Sequence, residues 1–353
     1  MRPKILIAGK VLLLIVLLLL LMGSISAAPP FQNEKSSARD QDFQIRTRVD
    51  LVVVPVTVKG AKDRLITGLT KDDFILMEDG QRQTITNFTT DPVPLSAVIL
   101  VDTGLSAGSL SKVQQTFPAL AGAFSEFDEV ALYRFDKFVA KVLDFSRDSV
   151  ALETSMKTLK DIKGDPMPYQ PPPGGPFSVP GPVINGRAVV PAGQVAAGSS
   201  APPKKIKVLN DAVFAAASDL KRRETNRRKM VLIISDGYNE GSDHSFDDAV
   251  KSLLENGVEV YAVGLEQSFL TKPFSVLNRY AAVTGGDTYS AGSIQNIEQS
   301  YNTAAEAARN QYVLGYISRN KVQGVLPIFR DIQVTVAKAG FETLHRKGYY
   351  QYP

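Results

Sequence analysis

Two short apolar runs in this chain each deliver an aspartate at their carboxyl end. The first occupies 97–101 and leads into Asp102; the second occupies 230–234 and leads, one residue later, into Asp236. Unalternating apolar runs of this length are typical of strands buried on both faces of a parallel sheet. Open α/β sheets bind their ligands at the carboxyl ends of such strands. The two carboxylates are therefore predicted to face one crevice.

Paired carboxylates in one crevice favour a cation site, because carboxylate oxygens are preferred ligands of hard divalent ions. Gly104 and Ser106 follow the first aspartate in a turn of small residues, and Ser106 adds a hydroxyl oxygen. The alternative is that each aspartate caps the helix that follows it, which is a common role for Asp. Two strand ends with the same feature favour the cation site over two unrelated caps.

The elements that must position these aspartates alternate between strand and helix from residue 93 to residue 310. Apolar residues at helical spacing follow each aspartate. Further strands are predicted at 130–135, 139–145 and 258–263. Repeated βα units predict an α/β fold with a doubly wound, mostly parallel sheet.

Segments of β character flank this region on both sides. The amino-terminal segment, 43–92, contains an alternating apolar run and a hairpin predicted between 74–77 and 83–86. The carboxyl-terminal segment, 311–353, contains two further predicted strands. We expect the two segments to pair into a small β platform into which the α/β domain, 93–310, is inserted.

Together these features resemble the von Willebrand factor type A (VWFA) domain, and in particular a bacterial subgroup called VWFA-related. The flanking segments carry the most specific part of the likeness: GLTKDDF at 68–74 with EDG at 78–80, YVLGY at 312–316 and RKGYY at 346–350. The resemblance implies a metal-ion-dependent adhesion site. In such a site hydroxyl oxygens bind Mg²⁺ directly, aspartates hold its waters, and an acidic group of a partner completes the shell.

The sequence departs from that family pattern at the metal site itself. Asp102, Ser106 and Asp236 match the pattern, but Gly104 stands where the resemblance implies a serine. The stretch 205–212 resembles the loop that supplies a threonine ligand, and it places Lys207 at the threonine position. Mg²⁺ requires near-octahedral oxygen coordination. We therefore expect a degenerate, vestigial site that binds Mg²⁺ very weakly or not at all, and no other cofactor.

Lys207 has two possible roles in such a crevice. Its ammonium group can stand between the two aspartates as a built-in replacement for the cation, because opposite charges about 4 Å apart attract by roughly 4 kcal/mol at an effective dielectric constant near 20. Alternatively, the side chain points into solvent at the start of a helix. The sequence leaves both roles open.

The composition excludes several kinds of site. There is no Cys, and His244 and His345 are the two His, so disulfides and thiolate nucleophiles are excluded and a Ser-His-Asp triad has little to build on. Residues 1–28 contain three basic and no acidic residues, so their removal lowers the formal charge from +4 to +1. A net charge this small does not indicate nucleic-acid binding. A basic cluster at 221–229 is predicted to be a solvated helix end, or else a contact patch for an acidic partner.

The remaining segments are predicted to lie outside the folded core. Residues 1–28 combine a basic start, an apolar run and a small-residue tract, which predicts a signal peptide and a secreted or periplasmic protein. The alternative is an uncleaved segment that anchors the protein in the membrane. Residues 29–42 are predicted to be a flexible leader, and the Pro/Gly-rich stretch 164–203 a disordered insertion.

These observations favour a non-enzymatic protein-interaction module that binds a protein or cell-surface ligand. The predicted binding crevice contains Asp102, Gly104, Ser106, Lys207 and Asp236. One alternative is a hydrolase that uses the two aspartates, although no activated nucleophile, base dyad or phosphate loop is evident. A second alternative is a structural or assembly factor that acts through the β platform and leaves the crevice inert.

Overall fold

The structure is a computed structural model. It describes residues 51–164, 206–265, 275–321 and 324–353, and the backbone of two short strands at 183–184 and 187–188. The predicted signal peptide and leader, and nearly all of the predicted Pro/Gly-rich insertion, lie outside the described residues.

Sixteen strands and seven α-helices are numbered along the described chain. The strands are β1 (Leu51–Lys59), β2 (Phe74–Glu78), β3 (Gln81–Arg82), β4 (Ile85–Thr89), β5 (Leu95–Asp102), β6 (Glu129–Phe135), β7 (Val139–Ser146), β8 (Val183–Ile184), β9 (Arg187–Ala188), β10 (Arg228–Ser235), β11 (Val258–Gly264), β12 (Thr288–Ser290), β13 (Tyr312–Ile317), β14 (Ile328–Val336), β15 (Glu342–His345) and β16 (Gly348–Gln351). The helices are α1 (Ala107–Gln115), α2 (Phe117–Gly122), α3 (Ser149–Thr158), α4 (Leu209–Leu220), α5 (Phe246–Asn256), α6 (Val276–Thr284) and α7 (Ile294–Arg309).

A six-stranded sheet forms the centre of the α/β region. Its order is β12-β11-β10-β5-β6-β7, and every neighbouring pair is parallel except β6 and β7. Counted along the chain, this is the 3-2-1-4-5-6 order of a doubly wound fold, whose strand order reverses between its first and fourth strands. Here those strands are β5 and β10. The predicted doubly wound, mostly parallel sheet is confirmed.

The central strands are apolar on both faces because helices cover both. All eight residues of β5 are buried, and β11 is buried along its whole length. Alternate side chains of β5 and β10 pack against α1, α2, α3 and α7 on one face and against α4, α5 and α6 on the other. A parallel sheet enclosed in this way needs no polar alternation.

Local sequence sets where the covering helices begin and end. Ser245 and Asp248 form a capping box at the start of α5, and Gly257 ends the helix in the left-handed conformation (φ +64°). The predicted helix after Asp102 is divided into α1 and α2. Pro118 lies in the first turn of α2, where its missing N–H is tolerated, and Thr116 ends the preceding turn with a hydroxyl bond to the carbonyl of Val113.

Two four-stranded sheets form the β platform. One has the order β15-β1-β13-β4, and the other has the order β16-β14-β2-β3. The amino-terminal strand β1 is antiparallel to both β13 and β15, and β2 is antiparallel to β14. Their apolar faces form one core, in which Phe74 and Tyr312 pack with ring centroids 5.1 Å apart. The predicted pairing of the two terminal segments is confirmed.

One predicted hairpin is different in the structure. The chain turns back after β2 at Asp79 and Gly80, and the hairpin extends only through Gln81 and Arg82 of β3. The following strand β4, predicted to continue that hairpin, crosses to the other sheet and pairs with β13. In this strand Ile85 is buried, whereas Thr86 and Asn87 are exposed. β4 is thus the outermost strand at one edge of its sheet.

Polar side chains connect the central sheet to the platform. Gln311, just before β13, accepts a hydrogen bond from Arg228 of β10. Its amide group donates to Glu259 of β11 at 2.9 Å and to Thr57 of β1 at 3.1 Å. Burial raises the pKa of Glu259, although Arg228 and Gln311 oppose the shift. A buried, hydrogen-bonded group of this kind fixes one arrangement of the two sheets.

The basic cluster at 221–229 is solvated only in its first part, where Lys221 and Arg222 are exposed after α4. Arg223 forms a bidentate pair with Glu129, at 2.7 and 2.6 Å. Arg227 is buried and donates to the backbone carbonyls of Leu95 and Phe127. The prediction of a solvated helix end was therefore wrong for Arg223 and Arg227, which satisfy a carboxylate and two carbonyls at the amino-terminal edge of the central sheet. Separately, no helix among the described residues has the length and apolarity to span a membrane.

Candidate functional site

The two aspartates lie side by side at the carboxyl edge of the central sheet. Asp102 is the last residue of β5, and Asp236 directly follows β10. These strands are parallel neighbours, with Val101 opposite Ile234, so both chains deliver their aspartates to the same edge. This edge is also the point where the strand order reverses, which is where doubly wound folds form a crevice.

Lys207 reaches this edge on a short extended segment before α4. Its backbone N–H and C=O exchange hydrogen bonds with Glu240, each 2.9 Å long. The next residue, Val208, donates its N–H to the carbonyl of Asp136 at 2.9 Å. The segment therefore ties the loop after β10 to the turn after β6, and its backbone position is fixed on both sides.

The ammonium group of Lys207 lies between the two carboxylates. Nζ is 2.7 Å from Oδ2 of Asp102 and 2.8 Å from Oδ2 of Asp236. The side chains of Lys207 and Asp102 are fully buried, and that of Asp236 is 8% exposed. The side chain therefore does not point into solvent, and its place matches the alternative in which it replaces the cation.

The two carboxylates also accept hydrogen bonds from groups other than Lys207. Ser235 donates its hydroxyl to Oδ2 of Asp102 at 2.7 Å, and the N–H of Gly104 donates to Oδ1 at 2.9 Å. The N–H of Tyr238 donates to Oδ1 of Asp236, also at 2.9 Å. Buried carboxylates need such donors, because an unpaired buried charge is costly.

Sequence reasoning did not include Ser235 in the site. The available signal was a single polar residue that closes the otherwise apolar strand β10. Asp136 and Glu240 bind the Lys207 segment through backbone groups, the carbonyl of Asp136 and both the carbonyl and the N–H of Glu240. Backbone contacts of this kind have no sequence signature.

The charges of the cluster do not balance. It holds two carboxylates and one ammonium group in a region screened from water. Burial, reinforced by the negative charge of Asp236, raises the pKa of Asp102 to about 6, although Lys207 and Ser235 oppose the shift. Burial disfavours the Lys207 ammonium, but attraction to Asp102 and Asp236 outweighs it and raises the pKa of that group.

Gly104 makes room for the lysine stem. A Cβ atom at this position would lie 3.2 Å from Cε of Lys207 and 3.4 Å from Cβ of Asp136. Any larger residue would crowd the lysine, so the absence of a side chain at 104 and the presence of Lys207 are linked. Ser106 begins α1 as its N-cap and accepts the N–H of Ser109 at 3.3 Å.

These residues do not fit a divalent metal ion. The position between the carboxylates is taken by the Lys207 ammonium, which would repel a cation. Gly104 offers no side-chain oxygen, whereas Mg²⁺ requires near-octahedral oxygen ligands at about 2.0–2.1 Å. Within the described ranges, no group of three His, Asp or Glu side chains is arranged to hold a metal.

Three exposed apolar or aromatic side chains lie on the loops that meet at the charged cluster. We call Phe138, Ile206 and Tyr238 the rim; their exposed fractions are 53%, 42% and 38%. Ile206 directly precedes Lys207, Tyr238 lies two residues after Asp236, and Phe138 is in the turn after β6. The backbone bonds of the lysine segment join all three loops. The three rim residues therefore lie on loops that are fixed to one another by backbone hydrogen bonds.

His244 lies beside the same edge and has a structural partner. Its Nδ1 is 2.8 Å from Oδ1 of Asp211, and its backbone N–H donates to the same oxygen at 2.8 Å. The imidazole stacks on Phe214 with ring centroids 3.9 Å apart. These contacts anchor the loop before α5 to the first turn of α4.

Neither a scan of protein-family models nor a search of curated proteins gave a match. Several solved structures are similar to this chain. A von Willebrand factor type A protein from Catenulispora acidiphila has 9% identity and a TM-score of 0.41, with 86% of this chain and 75% of that chain covered. An aerotolerance-related membrane protein from Bacteroides fragilis has 13% identity and a TM-score of 0.39, covering 60% of this chain and 98% of that chain. BatB from Bacteroides thetaiotaomicron has 12% identity and a TM-score of 0.37, covering 60% and 99%.

Proposed function

We propose that this protein is a non-enzymatic protein-interaction module whose binding crevice works without a metal ion. The observation that carries the proposal is the position of the Lys207 ammonium, 2.7 and 2.8 Å from the two aspartates. The Lys207 side chain holds this position without a metal ion, so the shape of the crevice does not depend on one. A partner therefore meets a preformed surface rather than one that depends on the supply of a metal.

The rim supports a role in binding. Its three apolar or aromatic side chains are exposed on loops that are bonded to one another, and exposed apolar groups framed by polar groups mark interaction sites. Aromatic residues such as Phe138 and Tyr238 are also enriched at protein interfaces. We expect the partner to be a protein or a cell-surface ligand that covers the rim.

The hydrolase alternative has less support from this geometry. Asp102 is fully buried and bonded to Lys207, Ser235 and the N–H of Gly104. A catalytic carboxylate must come within hydrogen-bond reach of a substrate. The oxygens of Asp102 are instead occupied from inside the fold.

The binding proposal is tested by capture and then by affinity. The immobilised protein is incubated with an envelope extract of the source organism, in Mg²⁺ and in EDTA, and captured proteins are identified and purified. Calorimetry then compares the wild type with Ile206→Ser/Tyr238→Ser. We expect equal affinity in Mg²⁺ and EDTA, and at least a tenfold loss in the rim variant.

Val150→Ser is the matched control, because Val150 is an exposed apolar residue on α3, away from the rim. Its affinity should equal that of the wild type. Binding that requires Mg²⁺ contradicts the proposal, as does a captured protein whose affinity is the same for the wild type and the rim variant.

We also propose that the module acts outside the cytoplasm, secreted or in the periplasm. The support is the basic and apolar sequence of residues 1–28. Cell fractionation with sequencing of the mature amino terminus tests it. Full-length protein in the membrane would favour the anchored alternative, and full-length protein in the cytosol would overturn both.

A further inference from the structure

The contact between Lys207 and Asp102 places an amine against a carboxyl group with water excluded. Nζ lies 2.7 Å from Oδ2, and neither side chain is exposed. A nucleophile and a carboxyl group held in this way react with a high effective concentration. We propose that Lys207 and Asp102 condense into an intramolecular amide bond between Nζ and Cγ, with release of one water molecule.

The two oxygens of Asp102 have different surroundings, as the reaction requires. Oδ1 accepts the backbone N–H of Gly104 at 2.9 Å, which would stabilise negative charge on that oxygen during attack on Cγ. Oδ2 accepts the hydroxyl of Ser235 at 2.7 Å and faces the lysine. Oδ1 therefore becomes the amide oxygen, and Oδ2 is the oxygen that leaves.

The reaction needs no proton from solvent. The ion pair and its reactive form, a neutral amine beside a neutral carboxylic acid, differ only by one proton moved along the 2.7 Å contact. Burial favours neutral forms over charged ones, and it raises the pKa of Asp102 to about 6. The two carboxylates raise the pKa of Lys207, so the neutral amine is the minor form and the condensation is slow.

Asp236 supplies the proton transfer. Its Oδ2 is 2.8 Å from Nζ, so it accepts a proton from nitrogen as the Nζ–Cγ bond forms. It then delivers that proton to Oδ2 of Asp102, the Cγ–Oδ2 bond breaks, and water departs. Asp236 ends as the carboxylate with which it began. In sum, the neutral amine loses one hydrogen and the carboxylic acid loses its hydroxyl group, and these leave together as one water molecule.

Such a bond would suit a chain without cysteine. It would join the end of β5 to the segment before α4 across 105 residues of sequence. A disulfide, the usual covalent brace of exported proteins, is excluded by the composition. The amide would link these two segments covalently and, unlike a disulfide, would form without an oxidant.

Mass spectrometry of the purified protein, expressed from its complete sequence, tests the proposal. We expect the intact mass to lie below the mass of the processed sequence by one water molecule. Trypsin should leave Lys207 uncut and release peptide 83–112 joined to peptide 206–221. Lys207→Arg, which keeps a cation but lacks the amine, and Asp236→Asn, which lacks the proton acceptor, should both retain the full mass.

Lys59→Arg is the matched control, because Lys59 pairs with Asp287 in another largely buried site. That variant should still lose one water molecule. Wild-type protein with the full mass and with trypsin cleavage after Lys207 overturns the proposal. A lost water that maps to an aspartate–glycine succinimide, such as Asp236–Gly237, with no joined peptides, overturns it equally. The wild-type peptide map decides the matter even if a variant fails to fold.

Discussion

Replacing Lys207 with methionine would separate the charge of this residue from its packing. Methionine keeps an unbranched stem of similar length but removes the ammonium group. Asp102 and Asp236 would then face each other in a buried site with no cation between them. Removing one partner from a buried ion pair costs about 3–5 kcal/mol, because the other charge stays buried and unpaired. Since whole domains are stable by only about 5–15 kcal/mol, the variant should lose a large part of its unfolding free energy.

The loss should depend on pH in a defined direction. The folded-state pKa of Asp102 is already raised to about 6 with Lys207 present, and removing the cation raises it further. A carboxyl group with a raised folded-state pKa binds more protons in the folded state than in the unfolded state. Its penalty is therefore largest above the folded-state pKa and shrinks as the pH falls. Lys207→Met should be far less stable than the wild type at pH 8 and closer to it at pH 5.

Urea unfolding of four proteins measures these effects at both pH values. Lys251→Met is the control, because Lys251 pairs with Glu255 at the surface of α5 at 3.8 Å and should cost less than about 0.5 kcal/mol. Lys207→Met/Asp102→Asn removes one of the stranded charges and should be more stable than the single variant at pH 8, by about 1–3 kcal/mol. The reasoning is refuted if the double variant is no more stable than the single variant, or if the loss in Lys207→Met is the same at both pH values.

Three further predictions concern the same fold. Gly104→Ser should destabilise the protein by about 1–3 kcal/mol, because its Cβ would lie 3.2 Å from Cε of Lys207. The double variant Gly104→Ser/Lys207→Thr should relieve this crowding and be stabilised by Mg²⁺, by about 2.7 kcal/mol at a Mg²⁺ concentration of a hundred times Kd. Equal melting temperatures of the double variant in Mg²⁺ and in EDTA would contradict this prediction. Burial, with a smaller opposing effect from the Arg346 carbonyl, lowers the pKa of His345, so its stabilisation is present above its ordinary pKa of 6.5 and is lost as the pH falls below that value. In denaturant unfolding at several pH values, His345→Gln should flatten this part of the stability curve. In denaturant unfolding, Arg227→Met should lower the free energy of unfolding by about 3–5 kcal/mol, because two backbone carbonyls lose their donor. Arg222→Met is the control: the Arg222 side chain is 75% exposed, so its replacement should lower the free energy of unfolding by less than about 0.5 kcal/mol.

The sequence predicted the central sheet because periodicity and burial agree there. Unalternating apolar runs as short as those of β5 and β10, separated by helical patterns, are typical of parallel strands covered by helices on both faces. The meeting of Asp102 and Asp236 then followed from parallel pairing alone. The β character of the two flanking segments predicted the platform, and the apolar alternation along β1 was its clearest signal.

The details that escaped prediction depend on long-range contacts. Strand β4 crosses to the second sheet because β13 offers it a partner, and nothing within residues 85–89 specifies that partner. Arg223 and Arg227 resemble any basic helix end, yet Glu129 and two carbonyls draw them inward. The place of Lys207 between the aspartates was one of two alternatives, because a lysine in a loop gives no sign of the direction in which it points.

The pairing of β1 with β13 and β15 has a consequence for the order in which the chain folds. β1 is synthesised first among the described strands, and its partners are among the last. The α/β elements between them make mostly nearer contacts and are able to form earlier, whereas the platform must wait for loop closure across the whole domain. During that interval β1 presents unpaired backbone groups and exposed valines, which are prone to aggregate. We expect platform closure to be the slow step, and a chain that crosses a membrane before folding would depend on a holding chaperone until its final strands emerge.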